Sequence, residues 1–265
     1  MNSSSTPRNC FVGMFDIIGF KDLRAQRGTA GLHQLYQRGI LPGIAHSAAG
    51  KGKTEKHGDR TLYVPDFADC VINYRAISDT VIFFTPDDSF NSFFFIVQSS
   101  FMLLQFGFSG IQAPYRGAIG WGDLIDDPQG ILIGSAIEDA YVGEGRQVWS
   151  GAMLTETCRE FADERGYLGK LAEVSELAQK VAGDELQKRR ARENGGWLVK
   201  YAAPVQQNPK NGPVIYSTIE TYVVNWTIRM FEGASNKAFR PSENDHERSI
   251  AENTLAFEKW ARSQK

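Results

Sequence analysis

Apolar residues along this chain fall into runs whose spacing switches between continuous and helical, and the switches outline an element order. CFVGMFDI (10–17) is a short, nearly unbroken apolar run with aromatic and β-branched residues, which predicts a buried strand. The polar residues before it, 1–8, read as a frayed tail. A helical pattern follows from about Lys21 to Gln37, with Leu23, Leu32, Leu35 and Tyr36 as inward positions. Residues 42–68 are rich in Gly, Lys, His and Pro and read mostly as a loop. CVINYRAISDTVIFFT (70–85) has two β-rich halves joined at Ser78-Asp79, a hairpin signal although the turn lacks a glycine. Phe90, Phe93, Phe94, Val97, Phe101 and Leu104 recur at spacings of three and four, so 89–106 is a helix whose Phe stripe packs a core.

PYRGAIGWGDLI (114–125) predicts another strand, with small residues that allow a close backbone approach. Residues 130–149 read as a short strand followed by a helix, and 155–193 as helical and increasingly charged. The basic run Lys188, Arg189, Arg190 and Arg192 reads as a solvated helix end closed by Gly195-Gly196. WLVKYAAPV (197–205) and VIYSTIETYVVNW (214–226) are β-rich, and Glu243 to Ser263 has the pattern of a surface helix. No repeat and no clear linker interrupts this order. The succession β-α-β-β-α-β, then further helices and strands, predicts an α+β sheet with helices on one face.

Composition narrows the function. Of 265 residues, 42% are hydrophobic and 23% charged, enough to bury a core without staples. Lys and Arg number 29 against 31 Asp and Glu, a formal charge of −2, so no sequence-wide field favours a nucleic-acid duplex. Three scattered cysteines, Cys10, Cys70 and Cys158, form neither a disulfide framework nor a zinc motif and fit a reducing cytosol. No signal peptide is visible, and polar residues interrupt the apolar stretch from Phe90 to Phe108. A cytoplasmic protein without a membrane span is expected.

Two aspartates stand out by position. Asp16 ends the first strand, inside FDIIGF, and Asp79 sits at the hairpin tip, inside AISDTVIFF. In a split βαβ sheet the first strand is central, which would bring both carboxylates out at one end. With a backbone carbonyl such as that of Ile17 they suit Mg²⁺ or Mn²⁺, which take oxygen ligands and share them with phosphates. The residues alone favour the plainer reading, in which Asp16 caps the following helix and Asp79 makes an Asx turn. SAAGKGKT (47–54) mimics a P-loop but has Ser47 where the first glycine belongs; Lys51, Lys53 and Lys56 read as a mobile basic loop. The four histidines lack metal-ligand spacing. Arg116 is either functional or a strand arginine paired to a carboxylate, and Trp121 and Trp149 read as core or dimer contacts.

FVGMFDIIGFKDL resembles the opening strand of the class III nucleotidyl cyclases, an apolar strand, then Phe-x-Asp-Ile-x-Gly-Phe, then a helix. Arg75-Ala-Ile-Ser78-Asp79 resembles that family's Lys-x-x-Gly-Asp, and Arg116-Gly-Ala-Ile119-Gly120-x-Gly122 its Arg-x-Gly-Ile-x-x-Gly strand. Gly134-Ser135-Ala136 opens a helix where the family places a glycine. The resemblance implies a ferredoxin-like βαββαβ core over residues 10–150, with 151–265 as a C-terminal α/β extension packed on it. It implies that Asp16, the Ile17 carbonyl and Asp79 hold two divalent ions, Mn²⁺ or Mg²⁺, and that backbone amides from Phe15 through Ile17 and Gly19 to Phe20 take the phosphates. It implies, too, a homodimer with its sites at the interface.

Departures from the family point further. Arg75 stands where purine cyclases carry a base-reading lysine or glutamate, and its planar fork offers a different donor geometry. Ser78 replaces the glycine before the second aspartate. Counted from Gly134, the family's transition-state Asn falls on Glu138 and its Arg on Val142, while Arg146, one turn on, is the candidate replacement for the lost charge and Glu144 shares the segment. This combination resembles the divergent pyrimidine cyclases of bacterial anti-phage systems. It implies synthesis of cyclic UMP or cyclic CMP that activates a separate effector. UTP is the expected substrate ahead of CTP, and the bulk of Tyr74 and Arg75 near the base pocket would exclude a purine. The alternatives are a purine cyclase and a catalytically inactive cyclase fold that binds nucleotide.

Overall fold

The computed structural model describes residues 4–58, 60–68, 70–180, 196–207, 214–227, 238–239 and 245–264. The first strand, β1 (Ser4–Ile17), is longer than its apolar run: Ser4–Arg8, read as a frayed tail, joins it by pairing with the strand that ends at Asp126. Both faces of β1 are covered. Phe11, Phe15 and Ile17 enter the main core, while Cys10, Val12 and Met14 meet a second cluster on the other side. That two-sided burial is why the run reads as continuously apolar, and it carries Asp16 onto the Cys10–Met14 face at the strand's end.

Helix α1 (Phe20–Leu35) continues through a wider turn, Tyr36–Ile40, into α2 (Leu41–Ala49). The loop expected over 42–68 is therefore absent. Gly43, Ile44, Ser47, Ala48 and Ala49 form a small-residue helix face buried against the Phe-rich helix, and a hairpin of β2 (Gly52–His57) and β3 (Arg60–Pro65) follows. Composition hid α2 because small residues carry little hydrophobic signal although they pack closely. The P-loop lookalike is the end of α2: Gly50 closes it at φ 68, and Lys51 and Lys53 pair with Asp66 and Glu55.

The hairpin of β4 (Asn73–Ile77) and β5 (Thr80–Phe84) turns at Ser78-Asp79 as expected, with Ser78 at φ 56 doing without glycine. Helix α3 (Phe90–Phe106) is capped by Ser89, and β6 (Tyr115–Asp126) returns beside β1. The segment Phe90–Ile111 is long and apolar enough to cross a membrane, but here it lies on the sheet with Phe93, Ile96, Val97 and Leu104 fully buried. Then come β7 (Leu132–Ile133), α4 (Ser135–Arg146), β8 (Ala152–Leu154), α5 (Glu156–Glu164) and α6 (Tyr167–Lys180). Strands β9 (Leu198–Gln207) and β10 (Ile215–Val224) and helix α7 (Asp245–Ser263) complete the described chain. The basic run at 188–192 lies outside the described residues.

The main sheet runs β4-β5-β1-β6-β8-β10-β9, with β7 on β6; β6 and β8 are parallel and the other pairs antiparallel. Its first half is the ferredoxin-like βαββαβ arrangement, with β1 central between β5 and β6. Strands β8, β10 and β9 continue the same sheet. Helices cover both faces rather than one: Ile96 of α3 lies under Gly13, and α4 lies against Gly120 on the opposite side. A Cβ at Gly120 would stand 2.7 Å from the Ala136 carbonyl and 2.8 Å from the Ala140 nitrogen, so only glycine lets α4 approach this closely.

Candidate functional site

Asp16 and Asp79 meet at the end of β1. Asp16 pairs in register with Thr80 of β5 and Arg116 of β6, and the Ile17 amide donates to the Asp79 carbonyl at 3.1 Å. Central placement of β1 thus puts the hairpin tip directly beside the strand end. Arg116 is the positive group beside Asp16, on the β6 side of β1. Its Nε donates to Glu144 Oε1 at 2.6 Å, its Nη1 to the Gln147 carbonyl at 3.1 Å, and its Nη2 lies 3.8 Å from Asp16 Oδ2. Of the two readings left open for Arg116, pairing to carboxylates is the one observed, and it occurs at the candidate site itself.

Burial, reinforced by the charges of Glu144 and Asp79, pushes the Asp16 carboxyl up to about 7 against the pull of Arg116. Burial likewise pushes Glu144 up despite its guanidinium partner. Tyr36 donates its hydroxyl to the Ser78 carbonyl, and burial followed by the charges of Asp79 and Asp16 raises it to about 12. From α7, His246 is held below the ordinary imidazole range by burial and then by Arg116. Tyr36, Glu144 and His246 are the site residues that local sequence signals do not single out. Tyr36 arrives from the wider turn after α1, Glu144 from α4 and His246 from α7, and only Glu144 shares a segment with a residue singled out for chemistry.

Beside the carboxylates, the Ile18-Gly19 turn leads into α1. Gly19 takes φ 73, no side chain caps the helix, and Phe20 packs edge-on against Tyr36. A cleft of about 90 Å³ there is lined by Gly19, Asp22, Pro114, Phe239 and Glu247. Phe15 itself points into the core against Phe83.

Other sequence candidates lie elsewhere in the single chain. Arg75 is engaged by Asp126 at 2.9 Å and lies 5.5 Å over the Phe84 ring, with Tyr74 half-buried beside it. Glu138 is exposed on α4. Arg146 lines a separate cleft of about 290 Å³ with Asp139, Thr155, Arg159 and Glu220. Within one chain, neither Arg146 nor Glu138 reaches the aspartates. Trp149 is fully buried and Trp121 stacks on Phe161 at 4.1 Å, both as packing residues.

Among the described residues, no group of three or more His, Cys, Asp or Glu is arranged to hold a metal ion. The donors at the end of β1 are two carboxylates and backbone oxygens, with Glu144 turned to Arg116. That all-oxygen set fits a hard divalent cation, and the charges of Glu144 and Asp79, which add to burial in lifting Asp16, are an excess a cation would relieve.

No protein-family model and no curated protein matches the chain. Among solved structures it is similar to the crystal structure of the catalytic core of a rhodopsin-guanylyl cyclase with converted specificity, in complex with ATPαS. The TM-score is 0.47 at 12% identity, over 83% of this chain and 97% of that one. The α+β class and the βαββαβ core stand on the strand order described above.

Proposed function

We propose that the chain is a metal-dependent nucleotidyl cyclase, acting on UTP in preference to CTP, whose cyclic product serves as a second messenger in anti-phage defence. The observation that carries the cyclase reading is the meeting of Asp16 and Asp79 at the end of the central strand, inside the two segments that resemble the class III pattern. Two Mg²⁺ or Mn²⁺ ions held by Asp16, Asp79 and the Ile17 carbonyl would acidify the ribose 3′-hydroxyl and neutralise the triphosphate. The uncapped amides at the start of α1 would hold phosphate oxygens. Arg116 would oppose the negative charge that builds up on the departing pyrophosphate. The bond formed joins the 3′ oxygen to the α-phosphorus, the bond broken releases pyrophosphate, and the hydroxyl proton leaves to solvent. A second copy of the chain would bring Tyr74, Arg75, Glu138 and Arg146 to the base and the transferring phosphoryl group.

Incubation of the purified protein with ATP, GTP, CTP and UTP plus Mn²⁺, with products identified by mass spectrometry, tests this directly. Cyclic UMP or CMP is expected, and Asp16→Ala or Asp79→Ala should each reduce turnover by at least about a thousandfold in a folded protein. A cyclic purine would retain the chemistry and overturn the pyrimidine reading. A second reading, a nucleotide-binding module without turnover, is favoured by the exposure of Glu138 and Val142 where the transition-state residues would stand. Triphosphate binding without pyrophosphate release from any nucleotide would select it.

A further inference from the structure

The end of β1 holds three interacting carboxylates, Asp16, Asp79 and Glu144, and one guanidinium among them. Arg116 stands opposite Asp16 in the β1–β6 register, so Asp16 is its cross-strand neighbour. It meets that carboxylate only through a long ion pair. Nε and Nη1 are both committed to the last turn of α4, to Glu144 at 2.6 Å and the Gln147 carbonyl at 3.1 Å. Nη2 is left 3.8 Å from Asp16, beyond hydrogen-bond reach. Glu144 is 7% exposed and the Arg116 side chain 16%, so this charge-assisted bond is sheltered from water and fixes the plane of the guanidinium. His246 of α7 lies near enough to the same guanidinium to feel its charge.

We propose that Glu144 is a positioning residue: by clamping Arg116 it holds the guanidinium off Asp16 and leaves the Asp16–Asp79 pair open to a divalent cation. The proposal rests on the metal reading of that pair. Without the clamp, Arg116 has Asp16 within a small side-chain rotation, and a planar fork laid on that carboxylate would take the cation's place.

Mn²⁺ binding to the full chain, followed by the electron paramagnetic resonance signal of free Mn²⁺, tests the idea without reference to turnover. Glu144→Gln should weaken binding about tenfold, as loss of an outer partner does at metal sites. Adding Arg116→Ala to that variant should return binding toward the wild-type value, because no guanidinium is left to intrude. Unchanged binding in Glu144→Gln overturns the proposal. So does a double variant as weak as the single one, which would make Glu144 a ligand or a packing residue. If Glu144→Gln does not fold, Arg116→Ala alone decides: it should bind Mn²⁺ at least as tightly as wild type, and weaker binding refutes the clamp. Asp16→Asn and Asp79→Asn separate the two levels of the argument. Mn²⁺ binding that survives in both removes the metal reading itself, and the clamp with it.

Discussion

Asp16 is a carboxylate that the fold holds in an unfavourable charge state. Burial, Glu144 and Asp79 lift it from an ordinary value of 3.8 to about 7, so the folded chain favours its protonated form. Its contribution to stability is therefore complete below about pH 4 and is lost as pH rises through 7. The side chain is 31% exposed, and solvent screening reduces the effect to about 2 kcal/mol. Asp16→Asn is expected to stabilise the metal-free protein by about that amount at pH 8 and to leave it unchanged near pH 4. Thermal melts across this range check it, and parallel curves for wild type and variant would contradict it. Divalent cation should raise the wild-type melting temperature at pH 8 and not that of Asp16→Asn, since mass action stabilises only a state that binds.

Helix α4 links the sheet to the site, and its contact with β6 depends on Gly120. Because the Ala136 carbonyl and Ala140 nitrogen leave no room for a side chain there, Gly120→Val would push α4 outward and carry Glu144 with it. A loss of about 3 kcal/mol is expected, the upper end for forcing atoms into a packed contact, with metal affinity falling in the same variant. Denaturant unfolding and Mn²⁺ titration together check this; loss of stability with metal binding intact would show that α4 repacks without moving Glu144. On the other flank, α7 is tied to the segment after α4 by Asn253 on the Val148 carbonyl and Thr254 on the Ser150 amide, both at 2.8 Å. The C-terminal helix thus braces the residues that present the Gln147 carbonyl to Arg116.

Across the whole molecule, large apolar side chains left exposed on β7 and the outer side of α4, Ile133, Tyr141 and Val142 among them, are 55 to 62% accessible. Exposed apolar side chains gathered into one patch mark an interaction surface. With Arg146 and Glu138 on the same helix and away from their own chain's aspartates, a homodimer whose sites draw on both copies is the proposed assembly. Tyr141→Glu with Ile133→Asp should convert a dimer to a monomer by light scattering and abolish turnover while leaving Mn²⁺ binding in place. A monomeric wild type with full turnover would refute the shared site.

Much of this protein is local information. Two-sided burial made β1, β5 and β6 readable as apolar runs, the Phe spacing marked α3, and the Ser78-Asp79 turn was visible between two β-rich halves. Asp16 and Asp79 were legible because one lies at the end of a strand and the other in a hairpin turn, where side chains leave the core. Where contacts are long-range, the sequence was silent. Helix α2 packs through small residues that carry no periodic signal, and β8 is three residues whose place comes from β6 and β10. The guanidinium beside the carboxylates, the tyrosine at the hairpin turn and the histidine of α7 come from elements up to 230 positions from Asp16 (246 minus 16), which only the sheet order and the close approach of α4 bring to one end of one strand. Local propensity decides where strands end; charge placement around those ends is a tertiary property, because Coulomb and hydrogen-bond partners are chosen by distance in space.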